Sequence, residues 1–362
     1  MVLLTEMRLG RLLLPNRVVM APMTRSRARA GLPTAETAAY YRQRATAGLV
    51  ISEGTHIGEQ TAHSPATAGI YTPAQVQAWA SVTGAVHAAG GRMFLQLWHL
   101  GRAWHGGLYP PVGPSAIAAR AQRPDANGVL RPLPIPVALD DAAIRNTVLQ
   151  YGIAAANALA AGFDGVEIHA ANGFLLDQFL RDGSNQRAGR YGGSPQARAR
   201  LLLEVAEHVS HIAGAGRVGV RLSPRKTFND MHDSTPFATF GYVVSELNRL
   251  GLAYLHLAAE AAGSPGLDPS TEGITEHLRA RWDGALILNG GFDGPRAEHA
   301  VAHHEADLVS FGTAYVANPD LVRRLQERAP LNPVNRERLY GGGADGYTDY
   351  PALPEGGAPA AA

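Results

Sequence analysis

The sequence has 362 residues, of which 46% are hydrophobic and 17% are charged, so it can bury a sizeable apolar core. Its 32 Lys and Arg residues nearly balance 31 Asp and Glu residues, and a net charge of +1 argues against nucleic-acid or membrane-surface binding through a general basic field. The sequence has no cysteine, which excludes disulfides, thiolate nucleophiles, iron–sulfur clusters and cysteine-bound zinc.

The start of the chain predicts neither a secretion signal nor a membrane helix. Glu6 and Arg8 interrupt the apolar start before a signal core could form. No apolar run approaches the roughly 20 residues that a membrane helix needs. We therefore expect a soluble, cytoplasmic protein. Residues 1–16 precede the first predicted strand, and we expect them to form a small plug or hairpin at the N-terminal end of the fold.

Eight short apolar runs alternate with longer helical patterns along the chain. Runs this rich in Val, Ile and Leu are typical of buried parallel strands. Their alternation with helices over this length favours a closed (β/α)8 TIM barrel over an open doubly wound sheet, and no GxGxxG motif follows the first run. The predicted strands are Arg17–Met23, Leu49–Ile57, Arg92–His99, Gly165–Ala171, Arg217–Ser223, Ala253–Ala259, Ala285–Gly291 and Asp307–Thr313. The predicted helices include Thr72–Ala89, Asp140–Ala161, Pro195–Ala213, Pro295–His303 and Pro319–Glu327.

Two segments depart from a minimal barrel. Residues 100–138, after strand three, contain many Pro and Gly residues and no convincing helix, so we expect an excursion or lid over the catalytic rim. The chain is predicted to form one domain over residues 1–353, and the tail 354–362 is predicted to be disordered.

Polar residues occupy alternate positions of several predicted strands, where a barrel directs side chains inward. Gln96 lies on strand three, Glu167 and His169 on strand four, and Arg221 on strand five, while Glu53 lies on strand two. Buried polar groups are costly unless they are paired. They could simply pair with one another, for example Glu167 with Arg221, or Gln96, Arg221 and His169 could bind a polar ligand.

Glycine turns follow the last two strands, at Asn289-Gly290-Gly291 and Phe311-Gly312-Thr313. Barrels commonly bind a phosphate group after these strands, with backbone N–H groups as donors. A glycine turn alone is weak evidence, because any strand-to-helix turn can use glycine.

Several motifs, in the same order along nearly the whole chain, resemble those of the old yellow enzyme family of FMN-dependent ene-reductases. The resemblance implies a TIM barrel that binds FMN without a covalent bond. NADPH or NADH would reduce the bound FMN. The matching stretches are residues 16–25 (NRVVMAPMTR), 95–102 (LQLWHLGR), 167–180 (EIHAANGFLLDQFL), 184–187 (SNQR), 190–194 (RYGGS), 220–224 (VRLSP), 317–321 (ANPDL) and 340–343 (YGGG).

The resemblance also implies roles for individual residues. His169 and Asn172 would donate to the carbonyl or nitro oxygen of the substrate, where negative charge builds up as hydride adds to the activated C=C bond. Arg221 would stabilise the reduced flavin with its positive charge. The implied flavin contacts are Pro22, Met23, Thr24, Gly54, Gln96 and Arg221; the implied phosphate contacts are Gly290, Gly291, Gly312 and Thr313; the implied substrate contacts are Trp98, Phe174 and Tyr347.

Three positions depart from the family pattern. Phe174 replaces a tyrosine that commonly delivers the proton to the substrate, Ser64 replaces another pocket tyrosine, and Thr313 replaces an arginine that often holds the FMN phosphate. Arg225, Lys226 or Arg296 could substitute for that arginine. The loss of the tyrosine keeps a second function open, that of a flavin-dependent isomerase or desaturase.

Two further hypotheses come from other classes: a non-catalytic ligand-binding barrel, and a metal-dependent or phosphosugar barrel enzyme. The leading prediction remains an FMN oxidoreductase that acts on a small molecule, without metal, membrane or nucleic acid, as a monomer or homodimer.

Overall fold

Eight parallel strands close into a barrel in which each strand pairs with the next along the chain and β8 pairs with β1. A computed structural model describes residues 1–62, 64, 66–103, 109–124, 129–259 and 264–354. The register runs from Val19 opposite Leu49 to the closing pair of Val309 and Val18. The predicted eight-stranded barrel is therefore confirmed. The barrel strands are β1 (Val18–Met20), β2 (Leu49–His56), β3 (Met93–Trp98), β4 (Gly165–Ala170), β5 (Val218–Leu222), β6 (Tyr254–Ala258), β7 (Leu286–Asn289) and β8 (Leu308–Phe311).

Helices connect the strands, and several begin at the capping residues that the sequence indicates. The Thr72 hydroxyl accepts from the Gln75 backbone N–H in a capping box, and Ser194 accepts from Ala197. The described helices are α1 (Ala35–Gln43), α2 (Pro73–Ala88), α3 (Asp141–Ala160), α4 (Leu175–Leu180), α5 (Pro195–Ala213), α6 (Pro236–Asn248), α7 (Ile274–Arg279), α8 (Gly294–Ala302), α9 (Thr313–Ala317) and α10 (Leu321–Glu327). Among them, none is long and apolar enough to cross a membrane.

The N-terminal segment forms the expected plug. Its strands Met7–Leu9 and Leu12–Leu14 pair as an antiparallel hairpin, and Gly10 takes a left-handed φ of 55° at the turn. Leu9 and Leu14 are buried in one apolar cluster with inward-facing residues of the barrel, which closes its N-terminal end. Those barrel residues are Val19, Leu49, Ile51, Phe94, Ala253, Tyr254, Ile287 and Leu308.

The stretch 100–138 contains no α-helix within its described residues, as expected. It carries a 3-10 turn at Gly101–Ala103 and two short strand pairs, Val112–Gly113 with Val137–Ala138 and Gln122–Pro124 with Leu130–Pro132. Residues 104–108 and 125–128 of this stretch lie outside the described residues. The tail 354–362, predicted to be disordered, also lies outside them from residue 355 onward.

Candidate active site

A cavity of about 370 Å³ opens at the C-terminal ends of the barrel strands. Its wall comes from the loop after β1, its floor from side chains on β5 and β7, and its rim from the turn after β8 and the C-terminal segment. Ligand pockets usually occupy several hundred Å³, so this cavity is large enough for a small organic molecule. The lining residues are Ala21, Pro22, Met23, Thr24, Arg25, Arg221, Asn289, Gly312, Thr313, Val316, Leu339 and Tyr340.

A chain of polar side chains crosses the barrel interior between the apolar plug and the cavity. The Gln96 amide donates to Glu167 Oε1 at 2.7 Å, and His256 Nδ1 lies 2.8 Å from Glu167 Oε2. His256 Nε2 lies 2.8 Å from the Ser310 hydroxyl. All four side chains are buried, so their mutual hydrogen bonds offset much of the cost of placing them there. We call these four residues the polar belt.

Arg221 lies opposite His169 in the register of β4 and β5. Its Nη2 donates to Asn289 Oδ1 at 2.9 Å, while both carboxylate oxygens of Glu167 are used by the belt residues Gln96 and His256. The pairing of Glu167 with Arg221, which the sequence offers as an example, stays a prediction. The two charges still influence each other, because Arg221 is among the groups that lower the pKa of Glu167.

The charges of the belt fix its hydrogen-bond directions. Burial by itself would raise the pKa of Glu167, but His256, Arg221 and the Gln96 amide together lower it below the ordinary value, so the carboxyl is ionised. Burial, together with Arg221, lowers the pKa of His256, so the imidazole is neutral. His256 therefore donates from Nδ1 to Glu167 and accepts from the Ser310 hydroxyl at Nε2.

His169 lies at the mouth of the barrel among aromatic rings. The Phe174 ring meets it edge-on at 4.9 Å between centroids, and Trp98 lies 6.4 Å away in a stacked arrangement. Burial, and less strongly Arg221, lowers the pKa of His169 to about 3, so the imidazole is neutral. Its buried Nδ1 has no hydrogen-bond partner among the described residues. A buried polar atom without a partner in the protein needs an explanation, and a bound ligand would supply one here.

Asn172 follows β4 in a left-handed conformation with φ of 57°, a strained geometry for a residue with a side chain. Two neighbours hold it: its N–H donates to the Ser223 hydroxyl at 2.7 Å, and its carbonyl accepts from Asn229 Nδ2 at 2.9 Å. Arg123 of the excursion donates in turn to Asn229 Oδ1 at 2.7 Å. The excursion is thus connected to the backbone that carries Asn172.

Glu53 supports the loop after β1 from below. Its Oε2 accepts from the Arg25 backbone N–H at 3.4 Å, and burial raises the pKa of this carboxyl to about 7. Tyr347 lies in the same region, fully buried, stacked on Tyr40 at 4.1 Å and covered by the Arg27 guanidinium at 4.5 Å. Its described contacts are thus with α1 and with the segment after β1, and its assignment to the substrate stays a prediction.

The other residues implied by the resemblance gather around the cavity. Six of them line it: Pro22, Met23, Thr24, Arg221, Gly312 and Thr313. Gly54 lies against Trp98, so closely that a Cβ atom at this position would come within 2.8 Å of the indole ring. Gly290 and Gly291 form a turn after β7 with φ of 145° and 64°, which only glycine adopts easily.

Of the candidate replacements for the missing arginine, Arg225 and Arg296 line a separate cavity of about 360 Å³. Arg296 also donates to the Gly291 carbonyl at 2.9 Å, which places it beside the turn after β7.

Sequence reasoning missed His256 and the cavity role of Asn289. Both could have been found from the sequence, because side chains alternate between the two faces of a strand. This alternation places His256 of strand six and Asn289 of strand seven on the inward face.

The cavity and its surroundings fit FMN. Arg221 offers a cation at the floor, and the glycine turns after β7 and β8 leave backbone N–H groups open nearby. These donors suit the carbonyl groups of an isoalloxazine ring and a phosphate. Within the described residues, no group of three or more His, Asp or Glu side chains is placed to hold a metal ion.

Comparison with known proteins identifies the family. The model of the NADH:flavin oxidoreductase / NADH oxidase family matches residues 3–332. The chain is 41% identical over 359 residues to 12-oxophytodienoate reductase 1 from Oryza sativa subsp. japonica, covering 98% of this chain and 93% of the relative. A structure of morphinone reductase in complex with tetrahydroNAD superimposes with a TM-score of 0.92 at 44% identity, covering 98% of each chain. The old yellow enzyme homologue from Zymomonas mobilis gives 0.94 at 40% identity, covering 97% of this chain and 99% of the other.

The match extends over nearly the full length of both chains in each case, and all eight barrel strands lie within the matched residues. The chain therefore belongs to the NADH:flavin oxidoreductase / NADH oxidase family, in which it is an FMN-dependent oxidoreductase of the old yellow enzyme type.

Proposed function

We propose that the cavity holds FMN and that His169 and Asn172 bind the oxygen of an α,β-unsaturated carbonyl or similar electron-poor compound beside it. Bound FMN supplies the hydride that it takes from NADH or NADPH. The observation that carries this proposal is the buried, neutral His169 with an unpartnered nitrogen, near the strained Asn172 and opposite Arg221, which lines the cavity of about 370 Å³.

The cavity residues would bind and orient the cofactor. Pro22, Met23 and Thr24 form the wall against which a ring could stack, and Arg221 supplies a positive charge at the floor. Gly312 and Thr313, with the turn Gly290-Gly291, leave backbone N–H groups available for a phosphate. Such fixed donors need no reorganisation when the charge of the cofactor changes.

His169 and Asn172 would stabilise the negative charge that develops on the substrate oxygen. A neutral imidazole donates one hydrogen bond, and a carboxamide donates a second. Because the pKa of His169 is about 3, its donor capacity does not change between pH 5 and 8. Trp98 and Phe174 surround this position with apolar surface, which excludes water and strengthens both hydrogen bonds.

Phe174 favours a second candidate function. Its ring contacts His169 and Trp98 but carries no acidic proton, so protonation at the substrate α-carbon must come from elsewhere. Slow protonation would favour an isomerase or desaturase on the same scaffold. The stoichiometry separates the two: a reductase consumes one NADH or NADPH per product, whereas an isomerase consumes none.

The proposal is tested by reducing the bound FMN anaerobically and titrating it with cyclohexenone, maleimide and a nitroalkene. We expect at least one of them to reoxidise the flavin and to be reduced at its C=C bond. A protein that binds these compounds without any reoxidation would be a ligand-binding barrel. A colourless protein that releases no flavin on denaturation would contradict the cofactor assignment itself.

Replacing Thr313 by arginine should strengthen FMN binding by about tenfold or more, because a guanidinium at the rim can form charge-assisted hydrogen bonds to the phosphate. Thr313 is exposed, so the longer side chain has room. The measurement is the dissociation constant from fluorescence titration of the apoprotein. Riboflavin, which has no phosphate, is the control: an equal gain for riboflavin would show that the phosphate is not at this rim.

Replacing Asn229 by alanine should lower turnover about tenfold while leaving FMN affinity unchanged, because the Asn172 carbonyl loses the donor that holds its strained backbone. Steady-state kinetics with the best enone of the panel provides the measurement. Arg120→Ala is the matched control, since it removes an exposed excursion contact to Asp230 in the same loop. Equal losses in both variants would show that only docking of the excursion matters.

We further propose that the described barrel and its excursion act as one domain over residues 1–353, with 100–138 as a lid. The protein is proposed to work in the cytoplasm as a monomer or homodimer. The contacts from Arg102 to the carbonyls of Asn229 and Asp230 support one domain, because they join the excursion to the loop after β5.

A further inference from the structure

A buried carboxylate lies directly below the side chains that are proposed to contact the flavin. Glu167 on β4 is fully buried, and its oxygens accept from the Gln96 amide at 2.7 Å and from His256 Nδ1 at 2.8 Å. An ionised carboxylate in an apolar barrel is costly, and hydrophobic residues of similar volume would fill the space more cheaply. Nothing in the proposed chemistry uses this carboxylate as an acid, a base or a nucleophile.

We propose that Glu167 is a positioning residue that sets the redox potential of bound FMN, because it orients the Gln96 amide and counterbalances the positive charge of Arg221. This inference rests on the proposed placement of FMN above Arg221 and Gln96. It adds a property of the site that hydride transfer alone does not require.

The hydrogen bonds of the polar belt support the proposed orientation of the Gln96 amide. Since the Gln96 NH2 group is held by Glu167 Oε1, the amide oxygen is the end left to accept from a ring N–H group of FMN. His256 holds the second carboxylate oxygen and is itself held by Ser310, so the carboxylate has little rotational freedom. The belt therefore fixes which end of the Gln96 amide the flavin meets.

The charges of Glu167 and Arg221 support the proposed counterbalance. Arg221 and Glu167 influence each other within the same buried region, and His256 between the strands is neutral. The pair presents nearly zero net charge to the ring. Reduced flavin carries more negative charge than oxidised flavin, so Glu167 disfavours reduction and Arg221 favours it. Removing the carboxylate charge removes this opposing effect and should make FMN easier to reduce.

Glu167→Gln removes the charge and still allows every hydrogen bond of the belt. The new amide can accept from Gln96 and donate to the other tautomer of His256, which then donates from Nε2 to Ser310. Asp164→Asn is the matched control. It removes one negative charge near the start of β4, about 10 Å along the extended chain from Glu167, and the new amide oxygen can still accept from the Met93 N–H.

The measurement is the midpoint potential of the FMN-loaded protein, from spectroelectrochemical titration. We expect Glu167→Gln to favour binding of reduced over oxidised FMN by at least tenfold, which corresponds to a potential more positive by about 30 mV for two electrons. We expect an altered flavin absorption band as well, and no shift for Asp164→Asn. Equal potentials in the wild type and Glu167→Gln would overturn the inference, and so would equal shifts in both variants.

Infrared difference spectroscopy of the wild type covers the case in which Glu167→Gln does not fold. With 13C-labelled glutamate, reduction of FMN should perturb an isotope-sensitive carboxylate band, and the absence of such a band would overturn the inference. These outcomes are separable from a failure of the proposed function. A protein that binds FMN and reduces enones with an unshifted potential loses only the role of Glu167, whereas a protein without FMN loses the placement on which that role depends.

Discussion

Replacing His169 by leucine is expected to slow the reoxidation of reduced FMN by an enone by about a hundred- to a thousandfold. The leucine side chain fills the same buried position but donates no hydrogen bond, so the charge that develops on the substrate oxygen loses one of two donors. The rate constant comes from anaerobic stopped-flow mixing of reduced enzyme with enone. FMN content and thermal unfolding should stay close to those of the wild type, because the imidazole Nδ1 has no protein partner to lose among the described residues.

His303→Leu is the matched control, since His303 caps the C-terminal end of α8 outside the cavity lining, where its ring stacks on His299 and its Nδ1 lies 2.9 Å from the His299 carbonyl oxygen. The rate of the wild type should also be independent of His169 ionisation from pH 5 to 8, because the pKa of this imidazole is about 3. A His169→Leu enzyme that reacts with enones as fast as the wild type would show that another group holds the oxygen.

Replacing Phe174 by tyrosine is expected to increase alkene reduction, by up to about a hundred- to ten-thousandfold if protonation limits the wild type. The new hydroxyl supplies a proton donor beside His169, on a ring that already contacts both His169 and Trp98 at 4.9 Å. The change is followed as enone-dependent reoxidation under anaerobic conditions, together with the solvent isotope effect on that step. A larger product yield at unchanged flavin content would identify the missing proton as the cause.

Phe237→Tyr is the control for adding a hydroxyl elsewhere, because Phe237 lies on α6 and packs against His277 rather than at the mouth. Unchanged turnover in Phe174→Tyr would count against a missing acid and would leave water as the proton source. A variant that converts an isomerising wild type into a net reductase would instead support the second candidate function.

The sequence was sufficient to predict the barrel because its strands are short runs rich in Val, Ile and Leu that alternate with helical patterns. All eight were located, and helices such as α2 and α5 were found from their caps, Thr72 and Ser194. The three shortest helices, α4, α7 and α9, were not predicted. Helix α4 has six residues, too few for a period, and it forms because Leu175, Leu176 and Phe179 are buried by the tertiary packing.

Site residues that belong to a local sequence motif could be predicted. Contacts between residues on different strands of the barrel could not. Pro22, Thr24 and Arg221 line the cavity as the resemblance implies. The partner of Glu167 could not be found from spacing, because His256 lies 89 positions away and the register that joins them is a property of the closed sheet. The stacking of Tyr347 on Tyr40 and the cover of Arg27 could not be found from the sequence either, because both contacts join distant parts of the chain.

The central claim is that an imidazole and a carboxamide hold the substrate oxygen beside FMN at the C-terminal mouth of the barrel. A crystal structure of the FMN-loaded protein with an unreactive enone analogue tests this claim most directly. The account predicts the flavin ring over Arg221 and Gln96, with nitrogen atoms of His169 and Asn172 each about 3 Å from the carbonyl oxygen. A ring bound elsewhere, or a carbonyl oxygen held by other donors while His169 points away from it, would contradict the account.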